Sequence, residues 1–180
     1  MLLLASALVT QTAFAASPSP ERVVSDLYRA WSGSPQRRAS QSRRLVAIKK
    51  FVVPDLYRDL IAIDRLDDPI TGKAVGWDVF FGRREIPSGW GLDPARIELH
   101  AARVYVRLNW TKAETTRLAV DLARRGAEWT ITNVIYPDGR ELRGELRQIL
   151  ERNAAETKSG RAPATRESPP SNRRPSPRRP

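Results

Sequence analysis

The sequence predicts an α+β domain in which N-terminal helices pack on one face of a curved four-stranded antiparallel meander, with a short C-terminal helix at the end. Two observations carry this prediction. Apolar residues recur at helical spacing in the first third of the chain, and from about residue 97 they recur at every second position. Because helices come first and strands follow in succession, the strands are expected to pair with their sequence neighbours beneath a helical layer.

Three N-terminal helices and one C-terminal helix follow from the helical spacing. The first begins at Ser19-Pro20-Glu21, where an N-cap serine precedes a proline at the first helical position and an acid near the positive end of the helix. The second ends before Pro54, because proline disfavours helical geometry in the residue before it. The apolar stripes of the four helices are Val24, Leu27, Tyr28 and Trp31; Leu45, Ile48 and Val52; Leu56, Leu60 and Ile61 or Ile63; and Leu142, Leu146 and Ile149 or Leu150.

Four half-buried strands follow from the alternation, and the segment 69–95 before them, rich in glycine and aromatic residues, is interpreted as a long connection. The residues expected on the inner side of the strands are Ile97, Leu99 and Ala101; Val104, Val106, Leu108 and Trp110; Leu118, Val120 and Leu122; and Trp129 and Ile131. None of these side chains titrates, so the sheet offers no acid–base group to a concave active site. This is the main argument against an enzyme.

The N-terminus has the pattern of a secretory signal peptide. A short apolar run over residues 2–9 is followed by Ala13-Phe14-Ala15, which matches the small-x-small cleavage pattern. Cleavage is expected after Ala15, although no basic residue precedes the apolar run. The run is too short to span a bilayer, and no second apolar stretch follows. We therefore expect a periplasmic or extracellular protein without a transmembrane segment after cleavage.

The C-terminus is predicted to be a disordered basic tail. Residues 157–180 contain six prolines, seven Lys or Arg and one Glu, with no aromatic or large aliphatic side chain. The division of the chain is then a signal peptide at 1–15, an extended linker at 16–20, an α+β roll domain at 21–156 and the tail at 157–180. Candidate anion-binding residues of the tail are Arg173, Arg174, Arg178 and Arg179.

The chain is strongly basic, with a formal net charge of +11 and 26 Arg against 5 Lys. The tail either binds an anionic envelope polymer or serves as a solvated tether. No nucleic-acid motif accompanies it, and it lacks the interleaved aromatic residues of a single-strand binder, so a nucleic-acid partner is not expected. A GC-rich genome would also explain the arginine excess without any ligand.

Four stretches, together with the order of elements, carry a resemblance to a known family. They are residues 27–31 (LYRAW), 51–57 (FVVPDLY), 102–106 (ARVYV) and 128–134 (EWTITNV). They resemble the cystatin-like α+β roll of the nuclear transport factor 2-like superfamily and, more closely, a bacterial secreted family known as domain of unknown function 3828 (DUF 3828). The resemblance covers residues 21–152 and implies a fold and export. It implies no reaction.

The most suggestive candidate site is a group of residues in the connection after the third helix. Trp77, Asp78, Phe80, Phe81 and Trp90 either form a recognition surface for a partner or tuck under the sheet as a lid over the core. A recognition role fits a non-catalytic binding or accessory domain whose partner is a protein or another component of the cell envelope.

Catalytic and metal-binding residues are the alternatives to a recognition surface. His100 is the only histidine and is expected to face solvent. A hydrolase or isomerase that uses His100 together with Asp78 is the alternative function. Asp64, Asp67, Asp68 and Asp78 offer carboxylates for calcium, but their spacing matches no calcium-binding loop. The chain has no cysteine. We therefore assign no catalytic residue, no metal site and no cofactor.

Overall fold

A computed structural model describes residues 17–32, 41–66, 77–111 and 113–159, with the side chains of Gln41 and Ser42 left out. It contains helices α1 (Pro20–Ser32), α2 (Gln41–Ile48), α3 (Pro54–Leu66) and α4 (Leu142–Lys158) and strands β1 (Gly89–Leu92), β2 (Arg96–Glu98), β3 (Ala101–Asn109), β4 (Thr115–Arg125) and β5 (Glu128–Ile135). The signal peptide and nearly all of the tail lie outside the described residues.

The α+β class predicted from the sequence is confirmed. All strand pairs are antiparallel, and the sheet order is β1-β3-β4-β5, with β2 pairing to β3 beside β1. β1 lies along one end of β3 and β2 along the other, so the two short strands together form one interrupted edge. Helix α1 packs against β3 and β5, while α4 packs against β5 and α3. The helices therefore cover one face of the sheet.

The core lies between the helices and the inner face of β3, β4 and β5. The predicted inner residues of these strands are buried, apart from Ala101, which begins β3 and is exposed, and Trp110, which directly follows β3 and is partly exposed. Each strand turns alternate side chains to one face, so a period of two fills a layer with apolar groups. The helices contribute Leu27, Ile48 and Leu56, each fully buried. Among the described residues, no charged residue belongs to this core.

Two predictions about the sheet were wrong. Residues 89–92 form strand β1, although the segment 69–95 was expected to be a connection without strands. Ile97 and Leu99 were expected to face the core, but they are 58% and 85% exposed. The short strand β2 lies at the end of the sheet, where no described helix covers it, so alternation there does not produce burial.

A β-bulge in β5 changes which residues face the core. Asp121 pairs with Asn133 while the next residue, Leu122, pairs with Ile131, so Thr132 is the extra residue. After the bulge the alternation of inward and outward side chains along β5 shifts by one residue. Val134 is therefore buried instead of Asn133.

No helix in the described ranges is both long enough and apolar enough to cross a membrane.

Candidate functional site

The aromatic candidates from the sequence are packed against the core. Phe80 and Phe81 are buried, whereas Trp77 and Trp90 are partly exposed. Trp77 makes an edge-to-face contact with Tyr136 at 5.0 Å between ring centroids, and Trp90 makes a tilted contact with Tyr28 at 5.6 Å. Phe80 and Phe81 therefore serve as a lid in this structure.

Asp78, the polar member of this group, is fully engaged inside the protein. Its carboxylate accepts both backbone N–H groups of Phe80 and Phe81, at 3.0 and 3.2 Å, and the indole N–H of Trp31 at 2.9 Å. The Nη2 of Arg44 completes the set at 3.0 Å, and the Arg44 guanidinium lies 3.8 Å from the centroid of the Trp31 ring. With these donors in place the carboxylate fixes the start of the lid to α1 and α2.

Two tyrosines hold the same loop from the other side. The Tyr28 hydroxyl donates to the carbonyl of Phe80 at 2.9 Å, and the Tyr136 hydroxyl donates to the carbonyl of Val79 at 2.7 Å. Burial is the main cause that raises the pKa of both tyrosines well above the ordinary value, and the charge of Asp78 adds to it. Both hydroxyls thus stay protonated and remain donors at neutral pH. A partner-binding role of residues 77–90 stays a prediction.

The alternative catalytic set does not assemble. His100 is exposed in the turn between β2 and β3, where its backbone carbonyl accepts the N–H of Arg124. Asp78 lies in the connection before β1 and contacts Trp31 of α1, and Asp64 lies on α3. Neither of the two cavities described below is lined by these three residues. Within the described ranges, no group of three or more His, Asp or Glu residues is placed to hold a metal ion, while Asp67 and Asp68 lie outside those ranges.

The opposite face of the sheet is not covered by any described helix. We define it as the open face: the outward side chains of β2, β3, β4 and β5, with Asp93 at its edge. Arg103 and Asp121 stand directly opposite each other at its centre, and the guanidinium holds the carboxylate through two hydrogen bonds of 2.6 and 2.9 Å. Hydrogen bonding to Asp121 is the main cause that raises the pKa of Arg103.

A second cluster on the open face is organised by Tyr105 and Asp93. The guanidinium of Arg117 stacks 3.9 Å from the centroid of the Tyr105 ring, and that of Arg96 lies 5.6 Å away. Asp93 binds Arg107 at 3.0 Å and Arg117 at 2.6 Å. The arginines are thus held in fixed positions although about half of the Arg107 and Arg117 side chains is exposed.

A cleft of about 500 Å³ lies on the open face. Ala101, Ala123 and Thr132 contribute short side chains to its lining, and Arg96 and Arg103 contribute long charged ones. The complete lining is Arg96, Glu98, Ala101, Ala102, Arg103, Tyr105, Asp121, Leu122, Ala123 and Thr132. A concave surface with fixed charged groups and small apolar residues is suited to binding.

A smaller cavity of about 240 Å³ lies beside the lid, next to Gly82 and Tyr136. Its two arginines are neutralised within the protein, because Arg83 pairs with Glu114 and Arg140 pairs with Asp138. Because the cleft on the open face also contains an arginine that is paired with an acid, size separates the two, and this cavity of about 240 Å³ is the weaker candidate beside the cleft of about 500 Å³.

Sequence reasoning missed the open face as a site. The alternation had placed Tyr105, Arg107, Arg117 and Asp121 on the outward side, but as the ordinary polar side of half-buried strands. The signal available in the sequence was the residue type, because arginine and tyrosine are enriched at protein interfaces. Here both occur on the outward side of two neighbouring strands. The tail arginines at 173, 174, 178 and 179 lie outside the described residues.

The fold is found in a solved structure. The chain matches one chain of the crystal structure of the type VI native effector–immunity complex Tae3–Tai3 from Ralstonia pickettii, with a TM-score of 0.50 and 17% identity, over 66% of this chain and 95% of that chain. At this identity the likeness shows the fold alone. No family model and no curated protein matches the chain.

Proposed function

We propose that this chain is an exported accessory domain that binds a protein partner through the open face of its sheet. The observation that carries the proposal is the difference between the two faces. Helices fill one face, whereas the other presents ordered arginines and Tyr105 around a cleft of about 500 Å³. A solvent-facing sheet surface needs polar residues, but it does not need arginines that are fixed by acids and a ring.

The order of these side chains favours binding. Free arginines lose rotamer entropy when a partner immobilises them, at about 0.5–1.5 kcal/mol per side chain. Arg103 and Arg117 are already paired with Asp121 and Asp93, so part of that loss occurs on folding. Each guanidinium still has N–H groups left for a partner, because it carries five donors.

The structural neighbour supports a protein as the partner class. That chain belongs to a complex between an effector and an immunity protein.

Export is supported by the small-x-small pattern at Ala13-Phe14-Ala15 and by the resemblance to a secreted family. If export is correct, the mass of the protein recovered from the periplasm or medium corresponds to a chain that begins at Ala16. A protein that retains Met1 would contradict it.

Site-specific photo-cross-linking tests the binding surface. The photoreactive residue p-benzoylphenylalanine replaces Arg107 on the open face or, as a matched control, Arg58 on α3, whose side chain is 75% exposed. With envelope extract of the producing cells, we expect a discrete protein adduct from position 107 and none from position 58. Equal labelling from both positions, or none from position 107, would overturn the proposal.

A further inference from the structure

Strand β2 and the turn that joins it to β3 each present one apolar side chain to solvent. Ile97 is 58% and Leu99 85% exposed. Glu98 pairs with Ala101, which leaves Leu99 and His100 as a two-residue loop. We define residues 96–101 as the hairpin tip. Through Arg96 and Ala101 the tip is continuous with the lining of the cleft on the open face.

The backbone conformation at Leu99 is also unusual. Its φ is +26°, and no other non-glycine residue in the described ranges has a positive φ. The first position of a two-residue hairpin loop favours glycine, because a Cβ is crowded at positive φ. A leucine there is unfavourable for the fold on two counts: its backbone is strained and its side chain is in water. Both counts are explained if the side chain is buried in a complex.

The charges at this end of the sheet are not balanced. Arg96, Arg124 and Arg125 are exposed and form no ion pair among the described residues. Glu98 and Glu128 offset two of these charges, so one positive charge remains. The whole chain carries +11, which attracts an acidic partner and repels a basic one.

We propose that the hairpin tip is the anchor that docks this chain on an acidic, amphipathic protein surface, in which apolar side chains are bordered by carboxylates. Leu99 and Ile97 bury against the apolar centre, and Arg96 takes a carboxylate at the border. The inference rests on the proposed function and specifies the chemistry of the partner. A protein surface fits better than a membrane, because the tip has only two apolar side chains and lacks the Trp or Tyr that anchor segments at a bilayer interface.

The test uses the full-length chain, labelled with ¹⁵N, and a defined probe. The probe is a capped peptide in which two leucines and two phenylalanines are flanked by glutamates, and its matched control has glutamine at every glutamate. We expect the glutamate peptide to shift the amide signals of residues 96–103 saturably. Leu99→Gly and Arg96→Gln each weaken the binding about five-fold or more, while Arg58→Gln leaves it unchanged. Leu99→Gly keeps the melting temperature of the parent, because it removes an exposed side chain at a backbone position that favours glycine.

Three results would each overturn the inference. One is an equal response to the glutamine peptide. Another is a response confined to the tail or to residues 77–90. The third is a response at the tip to vesicles of phosphatidylglycerol but not to the peptide. In all three cases an adduct from position 107 would leave the proposed protein-binding function standing, because cross-linking does not depend on the tip.

Discussion

Arg107 and Arg117 stand directly opposite each other on β3 and β4, and one carboxylate, that of Asp93, binds both. Like charges at opposite positions of an antiparallel pair destabilise a sheet. Asp93 lies outside these two strands, in the break between β1 and β2, and its carboxylate compensates the repulsion between the two guanidinium groups. Its position there is fixed by its own backbone N–H, which donates to the carbonyl of Tyr105 at 2.9 Å.

This arrangement predicts that Asp93→Asn lowers the free energy of unfolding by about 1 kcal/mol. The loss is expected to shrink in high salt, since screening weakens the repulsion between the two arginines. Urea denaturation at low and high salt measures both effects. Asp26→Asn is the matched control, because Asp26 also bridges two arginines, Arg22 and Arg29, but on the exposed side of helix α1 and without a directly opposed pair. A loss of the same size for both variants would contradict the role given to the opposed pair.

Asp78 leads to a second prediction, about the lid. Asp78→Asn keeps one oxygen for the backbone N–H groups of Phe80 and Phe81 but places an amide N–H₂ against Arg44. Because the Arg44 and Asp78 side chains are only 22% and 11% exposed, the unpaired guanidinium is costly. We expect a loss of about 2–4 kcal/mol in the free energy of unfolding.

Urea denaturation of the single variants Asp78→Asn and Arg44→Leu and of the double variant measures this pair. The double variant is expected to lose less than the sum of the single losses, because it leaves no buried charge alone. Asp138→Asn is the control, since its pair with Arg140 is exposed and is worth about 0.5 kcal/mol or less. Additive losses would show that the two side chains act independently.

The sequence predicts the fold correctly where the local spacing of apolar residues determines which side chains are buried. Alternation in β3 and β4 identified the inner residues because both strands are central and have helices on one side. β1 was missed because Gly89 and Gly91 disfavour a strand, and its pairing with residues 106–109 is a long-range effect. Leu99 was misplaced because a positive φ at a leucine leaves no trace in the sequence.

The candidate site was predictable in residue type but not in arrangement. Arginine and tyrosine at alternate positions showed which side chains share a face. Which acid holds which arginine depends on strand register and on the bulge at Thr132, which no local pattern shows. Asp78 was predicted as a candidate partner-binding residue, and its role in holding the lid was not foreseen, because its donors come from Trp31 and Arg44, which are 47 and 34 residues away in the chain.

Gly82 gives a prediction about steric fit. Its φ is +74°, and a Cβ added there would lie 2.9 Å from Cδ1 of Tyr136. The ring cannot move away easily, since it is buried and its hydroxyl is bonded to Val79. Gly82→Ala is therefore expected to lower the free energy of unfolding by about 2–4 kcal/mol.

Gly126→Ala is the control for this prediction. Gly126 has a similar φ of +61° but nothing within 4 Å of an added Cβ, so its loss should be about 1 kcal/mol. The difference between the two variants, measured by urea denaturation, isolates the contact with Tyr136. Equal losses would mean that backbone conformation alone accounts for the effect.

The raised pKa values of Tyr28 and Tyr136 predict alkaline destabilisation. In the unfolded chain both tyrosines ionise near pH 10, whereas in the folded protein burial keeps the protons on beyond that pH. The unfolded state then binds fewer protons than the folded state. Stability from these groups is therefore complete below about pH 10 and is lost as the pH rises toward the folded-state pKa values.

Each buried tyrosine should add about 1.4 kcal/mol per pH unit to the loss of unfolding free energy above pH 10. Tyr28→Phe and Tyr136→Phe each remove one such contribution, and the double variant removes both. Each substitution also costs about 1 kcal/mol at neutral pH through the lost hydrogen bond to the lid. Urea denaturation between pH 8 and about pH 11.5 separates the two effects, because the slope reports ionisation and the offset reports the bond. An unchanged slope in the double variant would show that ionisation of these hydroxyls does not limit the stability of the folded protein at high pH.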